Sequence, residues 1–307
     1  MTTAVSLVNL TKTFGEHRAV DGLSFDVPAG SIFGLLGRNG AGKTTTIRMI
    51  MDILRPDSGT VAILGGAAGG DVLKDRVGYL PEERGLYPKM KLADMLEFAG
   101  SIKGLAVPEA RRRGIAWLDR LELGPWKDKK VEDLSKGMQQ KVQFIGAIMS
   151  KPDLLILDEP FSGMDPVNQE IFKDLILELN REGCTIIFST HVMDSAEKLC
   201  REIALINHGQ AVLKGTIGEI KKKFGTNTVA LEFDGDGSFL GGLPGVEKVH
   251  HGGQTAEVRL AQGADTQALL RAAMQKLVIR HFSVVTPTLH SIFIQQVGSE
   301  QGGNGNA

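Results

Sequence analysis

Cysteine is scarce in this sequence: Cys184 and Cys200 are the only two among 307 residues. Two thiols with no metal-ligand spacing exclude a disulfide framework or a zinc module, and predict two small buried or semi-buried side chains in a reducing compartment. Long apolar runs are missing as well. No stretch approaches the roughly 18–20 residues a membrane-spanning helix needs, and Met1-Thr2-Thr3-Ala4 lacks the regions of a signal peptide, so a soluble, intracellular chain is expected. Neither sign of charge is in excess. With 35 Lys and Arg against 36 Asp and Glu the net charge is -1, which disfavours nucleic acid or another polyanion as a partner. The sequence also has no internal repeat, as two complete copies of one site would require.

The length suits one large domain plus a smaller one, and 42% hydrophobic residues is ordinary for a packed globular protein. Over the first forty residues Leu23, Phe25 and Val27 alternate with polar neighbours up to the turn Pro28-Ala29-Gly30, the pattern of half-buried strands. The almost wholly apolar run Ser31–Leu36 suits a strand buried on both faces. A glycine-rich stretch follows it, and Thr45–Leu54 then carries helical spacing. From about Lys91 to Lys151 apolar spacing turns helical, which predicts a helical insertion. A second buried strand, Leu154–Leu157, precedes a helix opening at Asp165-Pro166 and ending near Gly183, and another strand covers Thr185–Ser189. Strands alternating with helices imply a mostly parallel sheet covered on both faces. The segment Ala204–Leu213 reads as a hairpin, and Lys221-Lys222-Lys223 with Gly225 marks a boundary. Beyond it lies a small α+β unit over 226–297, then a glycine-rich tail over 298–307.

The chemistry concentrates between the first buried strand and its helix. Gly37-Arg38-Asn39-Gly40-Ala41-Gly42-Lys43-Thr44 has two glycines, a lysine and a hydroxyl at the spacing of a phosphate-binding loop, in the strand–loop–helix setting that the mechanism requires. Its glycines let backbone N–H groups face phosphates at a helix N-terminus. Lys43 can reach the outer phosphates, and Thr44 can place its hydroxyl on Mg²⁺. The expected ligand is therefore ATP with Mg²⁺, held from Gly37 through Thr45. Asp158 and Glu159 sit at the C-terminal tip of a buried strand, where ligand sites gather in open α/β sheets. Asp158 can hold Mg²⁺ through water, while Glu159 can accept a proton from an attacking water. His191 falls just past the next strand; alone, such a histidine is more often an ordinary surface or packed one. Ser135 in Leu134-Ser135-Lys136-Gly137-Met138-Gln139-Gln140 reads as the N-cap of a helix.

Taken in order, these motifs closely resemble the ATPase subunit of an ATP-binding cassette (ABC) transporter over roughly residues 4–220. The implied fold class is α/β: a P-loop ATPase core with a mostly parallel sheet, an N-terminal antiparallel β subdomain, a helical insertion over about 91–151, and the small C-terminal α+β domain. The implied boundaries are 1–220 for the ATPase domain and 226–297 for the accessory one. By the same resemblance Ser135 and Gly137 contact the γ-phosphate held by an opposite subunit, and Asp158 is the Mg²⁺-associated acid. Glu159 becomes the catalytic base, Asp165 the residue of a dimer-crossing loop, and His191 the switch histidine. Phe14 falls where the family stacks an aromatic ring on adenine, although the residue alone also reads as core.

Three positions depart from the family pattern. Lys136 and Met138 replace the usual glycine and glutamine of the second motif. Glu82, in Val77-Gly78-Tyr79-Leu80-Pro81-Glu82, stands where glutamine is common; a carboxylate still offers oxygen to Mg²⁺ but adds negative charge near a triphosphate. The resemblance further implies a homodimer or a paired ATPase subunit around two ATP molecules and a separate multi-span membrane permease. It also implies a cytoplasmic location, peripheral on the cytoplasmic face of the membrane. Leu86-Tyr87-Pro88 is either a permease contact or a buried turn. The segment from Gly78 to Tyr87 and the appended domain look most like bacterial ABC-2-type exporters of the sodium or drug efflux kind. The alternative is a soluble ABC ATPase of the DNA repair or translation class.

Overall fold

A computed structural model describes residues 2–67, 76–83, 85–225, 228–261, 263–285 and 287–301. Arg84, within the segment that resembles the exporters, and 302–307 of the expected tail lie outside the described residues. The chain divides into two compact units, Met1–Thr216 and Ile217–Ala307.

In the first unit β1 (Thr3–Phe14) and β2 (His17–Pro28) form an antiparallel hairpin, joined by β4 (Ser58–Ile63) and β5 (Gly66–Ala67) in the order β2-β1-β4-β5. The period of two decides its inward face: Leu23, Phe25 and Val27 are all buried. A six-stranded sheet runs in the order β10-β9-β3-β8-β7-β6. It comprises β3 (Ile32–Leu36), β6 (Val77–Leu80), β7 (Leu154–Asp158), β8 (Thr185–Thr190), β9 (Glu202–Asn207) and β10 (Gln210–Thr216). Every neighbouring pair is parallel except β9 and β10, which form the hairpin read from the sequence. Every residue of β3, β7 and β8 is buried; the antiparallel sheet covers part of one face, where Phe25 of β2 stacks on Phe33 of β3 in a core shared with Ile47 of the helix that follows β3. Each Leu or Ile buried there contributes about 1.5–3 kcal/mol, so the sheet is a rigid base for whatever its strand ends carry.

The helices are α1 (Lys43–Ile50), α2 (Leu92–Ile102), α3 (Val107–Arg120), α4 (Lys136–Ile148), α5 (Pro166–Arg181) and α6 (Met193–Leu199). The first is shorter at its C-terminal end than the spacing through Leu54 suggests. Helices α2 and α3 approach closely at Gly100, where an added Cβ would stand 2.7 Å from Ala110 Cβ. Phe144 of α4 meets Phe172 of α5 with ring centroids 4.6 Å apart, which fixes these two helices to each other. Cys184 and Cys200 are buried and free, and burial pushes both thiols up to about 12, leaving them unreactive. Among the described residues no helix is long and apolar enough to cross a membrane.

The second unit opens with α7 (Ile217–Lys223), whose last turn carries the three lysines. Its sheet is antiparallel, in the order β12-β13-β11-β14, from β11 (Thr228–Asp234), β12 (Val246–His251), β13 (Thr255–Leu260) and β14 (Val278–Val285). Val229, Leu231, Phe233, Ala256, Val258 and Leu260 face one way and pack with Leu269 and Ala273 of α8 (Thr266–Met274). The last helix, α9, runs Leu289–Gln301. Residues 298–301 are therefore helical where the sequence suggested the start of a tail: Leu289, Ile292 and Phe293 are buried on one face, and the glycine-rich composition begins only after Gln301.

Candidate functional site

The C-terminal ends of β3, β6, β7 and β8 all lead into the same region, since parallel strands in register end on one edge of the sheet. From β3 the chain enters the loop 37–42. Gly42, the N-cap of α1, has φ 108°, and a side chain there would strike the carbonyl of Ala19. Only glycine lets the loop lie against β2 while opening a helix. Among the described residues no side chain caps α1, so its first N–H groups remain for an anion. Lys43 is buried and folds back over the loop, donating to the Gly37 carbonyl at 2.9 Å and the Arg38 carbonyl at 3.3 Å.

Strand β7 ends in Asp158, and Glu159 follows it directly. Asp158 is fully buried; its Oδ1 accepts from the Ser189 hydroxyl of the adjacent strand, whereas its Oδ2 has no hydrogen-bond partner among the described residues. Burial pushes the Asp158 carboxyl above its ordinary range, opposed by the hydroxyls of Ser189 and Thr44, and raised further by the charge of Glu159. A buried carboxylate oxygen whose lone pairs no hydrogen bond engages, next to a threonine hydroxyl, fits a hard cation such as Mg²⁺. Glu159 adopts φ 47°, the left-handed region that is uncommon outside glycine. Its N–H donates to both the carbonyl and the hydroxyl of Ser189, at 3.2 and 3.1 Å. That turn swings the Glu159 side chain towards the loop. There one oxygen, Oε1, lies 3.2 Å from Lys43 Nζ and 3.0 Å from His191 Nδ1.

A cavity of about 420 Å³ opens over this arrangement. Of the residues expected from sequence it is lined by Phe14, Asn39, Gly40, Gly42, Lys43 and Thr44, together with Thr45, Glu82 and Glu159. Gly37 and Ala41 shape the loop from behind, the first by accepting from Lys43 and the second by donating to the Arg38 carbonyl. His191 joins through Glu159. Phe14 is half exposed rather than core, with Lys12 Nζ 5.7 Å from its ring centroid. Ser135, Gly137 and Asp165 do not line the cavity. Ser135 caps α4 by accepting from the Met138 N–H at 3.3 Å, and Asp165 caps α5 by accepting from the Asn168 N–H at 3.0 Å, which lowers its carboxyl. Both caps are exposed; Gly137 is half-buried, and among the described residues an added Cβ there would meet nothing within 4 Å. Tyr87 is likewise exposed, in edge contact with Phe98.

Three residues of the site carry little or no signal in the sequence. His17 and Ala19 of β2 line the cavity opposite Phe14, and only the hairpin pairing puts them there. Ser189 organises both carboxylates; its single hint is a polar residue ending an apolar strand.

Comparison with known proteins agrees with this geometry. The family model described as "ABC transporter" matches residues 20–162, and the one described as "ATP-binding protein DrrA1-3-like, C-terminal domain" matches 215–297. The uncharacterized ABC transporter ATP-binding protein YhaQ of Bacillus subtilis is 42% identical, covering 96% of this chain and 99% of its own. The daunorubicin/doxorubicin resistance ATP-binding protein DrrA of Streptomyces peucetius is 35% identical over 75% of this chain and 70% of its own. Among solved structures, the ATP-binding subunit of an ABC transporter superposes with a TM-score of 0.67 at 31% identity, over 72% of this chain and 93% of that one. A dimeric ATP-binding cassette in a post-hydrolysis state with ADP and phosphate shares the fold, with a TM-score of 0.65 at 24% identity over 69% of this chain and 98% of that one. With the phosphate loop and Glu159 lining one cavity, and Asp158 and His191 joined to Glu159 through Ser189 and directly, the chain belongs to the ATP-binding subunits of ABC transporters, and its activity is that of an ATPase.

Proposed function

We propose that this chain binds ATP with Mg²⁺ in the cavity, pairs with a second ATPase subunit, and powers export through a separate membrane permease. The observation that carries the reading is the single carboxylate oxygen of Glu159 shared by Lys43 and His191 at the mouth of the phosphate loop. Lys43 and the free N–H groups at the start of α1 bind the phosphates. Glu159 accepts the proton of the attacking water, and His191 orients that carboxylate. Thr44, Asp158 and Glu82 would hold Mg²⁺, which supplies charge neutralisation of the phosphate oxygens. Phe14 stacks on the adenine from the open side of the cavity.

Ser135 and Asp165 stand exposed at helix starts and Gly137 half-buried beside Ser135, away from the cavity, so their part in the reaction belongs to the nucleotide of a partner subunit. The pairing is either with a second copy or with a related ATPase. In this reading residues 1–220 are the ATPase domain, 226–297 an accessory domain of the DrrA-like kind, and the chain sits on the cytoplasmic face of the membrane against its permease. Export rather than import rests on the similarity to resistance proteins such as DrrA. The test is ATP-dependent dimerisation of Glu159→Gln by light scattering, with and without Ser135→Arg, together with co-purification from membranes. A dimer that forms with ATP, and fails with Ser135→Arg, supports the paired site. A chain that hydrolyses ATP as a monomer and never co-purifies with a multi-span protein returns the soluble ATPase class.

A further inference from the structure

Helix α4 begins at the Ser135 cap, and one of its faces carries two buried glutamines a single turn apart, Gln140 and Gln143, at 3% and 9% exposure. Each donates its side-chain amide to a main-chain carbonyl outside the helix, and each of those carbonyls directly follows a carboxylate of the cavity. Gln140 Nε2 reaches the carbonyl of Pro160, next to Glu159, at 3.3 Å, and Gln143 Nε2 reaches the carbonyl of Glu83, next to Glu82, at 3.2 Å.

The two carboxylates differ in what else holds them. Glu159 is fixed by Ser189, Lys43 and His191. The stretch 81–83 leaves β6 and runs exposed apart from Pro81, which is half-buried. Among the described residues the Gln143 amide is its one hydrogen bond; the Glu83 side chain is nearly free, with Arg48 Nη2 only at 4.0 Å. A neutral amide suits this duty, because a buried lysine would bring an unpaired charge beside the core of α4, and a hydroxyl would be too short to span the gap.

We infer that Gln143 is a positioning residue: by holding the Glu83 carbonyl it sets where the Glu82 carboxylate stands on the cation side of the cavity. The inference rests on the proposed role of Glu82 towards Mg²⁺. It makes the helix capped by Ser135 responsible for one wall of the site in its own subunit.

The experiment compares the full chain with Gln143→Met, Glu82→Ala and the double variant. Methionine keeps length and volume, and the released Glu83 carbonyl can turn to water, so the fold should survive. Two readouts are taken: backbone hydrogen exchange over 80–85, and binding of a fluorescent ATP analogue titrated with Mg²⁺. Gln143→Met should speed exchange over 80–85 and raise the Mg²⁺ concentration at half-saturation by about tenfold, the scale of losing a supporting contact behind a metal ligand. In the Glu82→Ala background it should add nothing to the Mg²⁺ requirement. Unchanged exchange over 80–85, or an effect that adds in full to that of Glu82→Ala, overturns the inference. A Glu82→Ala variant with normal Mg²⁺ dependence overturns the metal role of Glu82, while the exchange measurement still judges the tether. Should Gln143→Met not fold, Gln143→Asn, which keeps the amide one methylene short, is held to the same outcomes.

Discussion

Lys43 and Glu159 form a nearly buried ion pair, Nζ to Oε1 at 3.2 Å, across two strands that are not neighbours in the sheet: β8 lies between the strands that deliver them. Buried pairs of this kind cost several kcal/mol of desolvation per ion, so they persist where each member has further partners. Lys43 has the Gly37 and Arg38 carbonyls, and Glu159 has His191. The cation proposed to bind phosphate and the carboxylate proposed as base are thereby held against each other, and a change in one is felt by the other.

Glu159→Gln keeps the shape and removes the charge. Turnover should fall by about 10²–10⁴ while ATP still binds, as expected for loss of a general base. Steady-state phosphate release beside equilibrium ATP binding is the check. Near-normal turnover would reassign the base.

Asp158 sets a pH dependence whose sign follows from its environment. Burial raises its pKa above the ordinary 3.8, so ionisation in the folded chain costs stability. That cost is absent below the ordinary value and grows as pH rises through the raised one. Asp158→Asn, which cannot ionise, should therefore melt above the unsubstituted chain at neutral pH without Mg²⁺, and the gap should close towards acid. Mg²⁺ with ATP should stabilise the unsubstituted chain more than the variant. Thermal melts across pH, with and without both ligands, decide it; a gap that widens in acid contradicts the assignment.

Phe14 is half exposed at the cavity, so its removal leaves the core intact. Phe14→Ala should weaken ATP binding by about tenfold, the scale of one lost base-to-ring stack, with little change in maximal turnover. Titration with inorganic triphosphate supplies the control. An equal loss of triphosphate affinity would mean that the ring does not act on the base.

Glu82→Gln removes a negative charge from the cavity wall while keeping an oxygen donor. ATPase activity should be kept or raised, and a loss greater than about tenfold, about 1.4 kcal/mol of barrier, would mean the carboxylate itself is needed.

What the sequence by itself determined is what depends on neighbours along the chain. The glycines and lysine of 37–44 specify a loop conformation locally, the apolar runs at 32–36 and 154–157 specify strands buried on both faces, and Ser135 and Asp165 announce their helices as caps. The tertiary structure decided which of these meet. Strand order placed β8 between β3 and β7, and so put Ser189 within reach of both Asp158 and Glu159. The β1–β2 hairpin carried His17 and Ala19 to the cavity, although nothing in their own spacing distinguishes them from other residues of a half-buried strand. The tethering amide of Gln143 was equally silent, since a glutamine on an amphipathic helix acquires a duty only when a carbonyl far along the chain is folded against it. Local conformation is set by short-range sterics and the apolar period, whereas a functional contact between distant segments exists only once the sheet has fixed their separation.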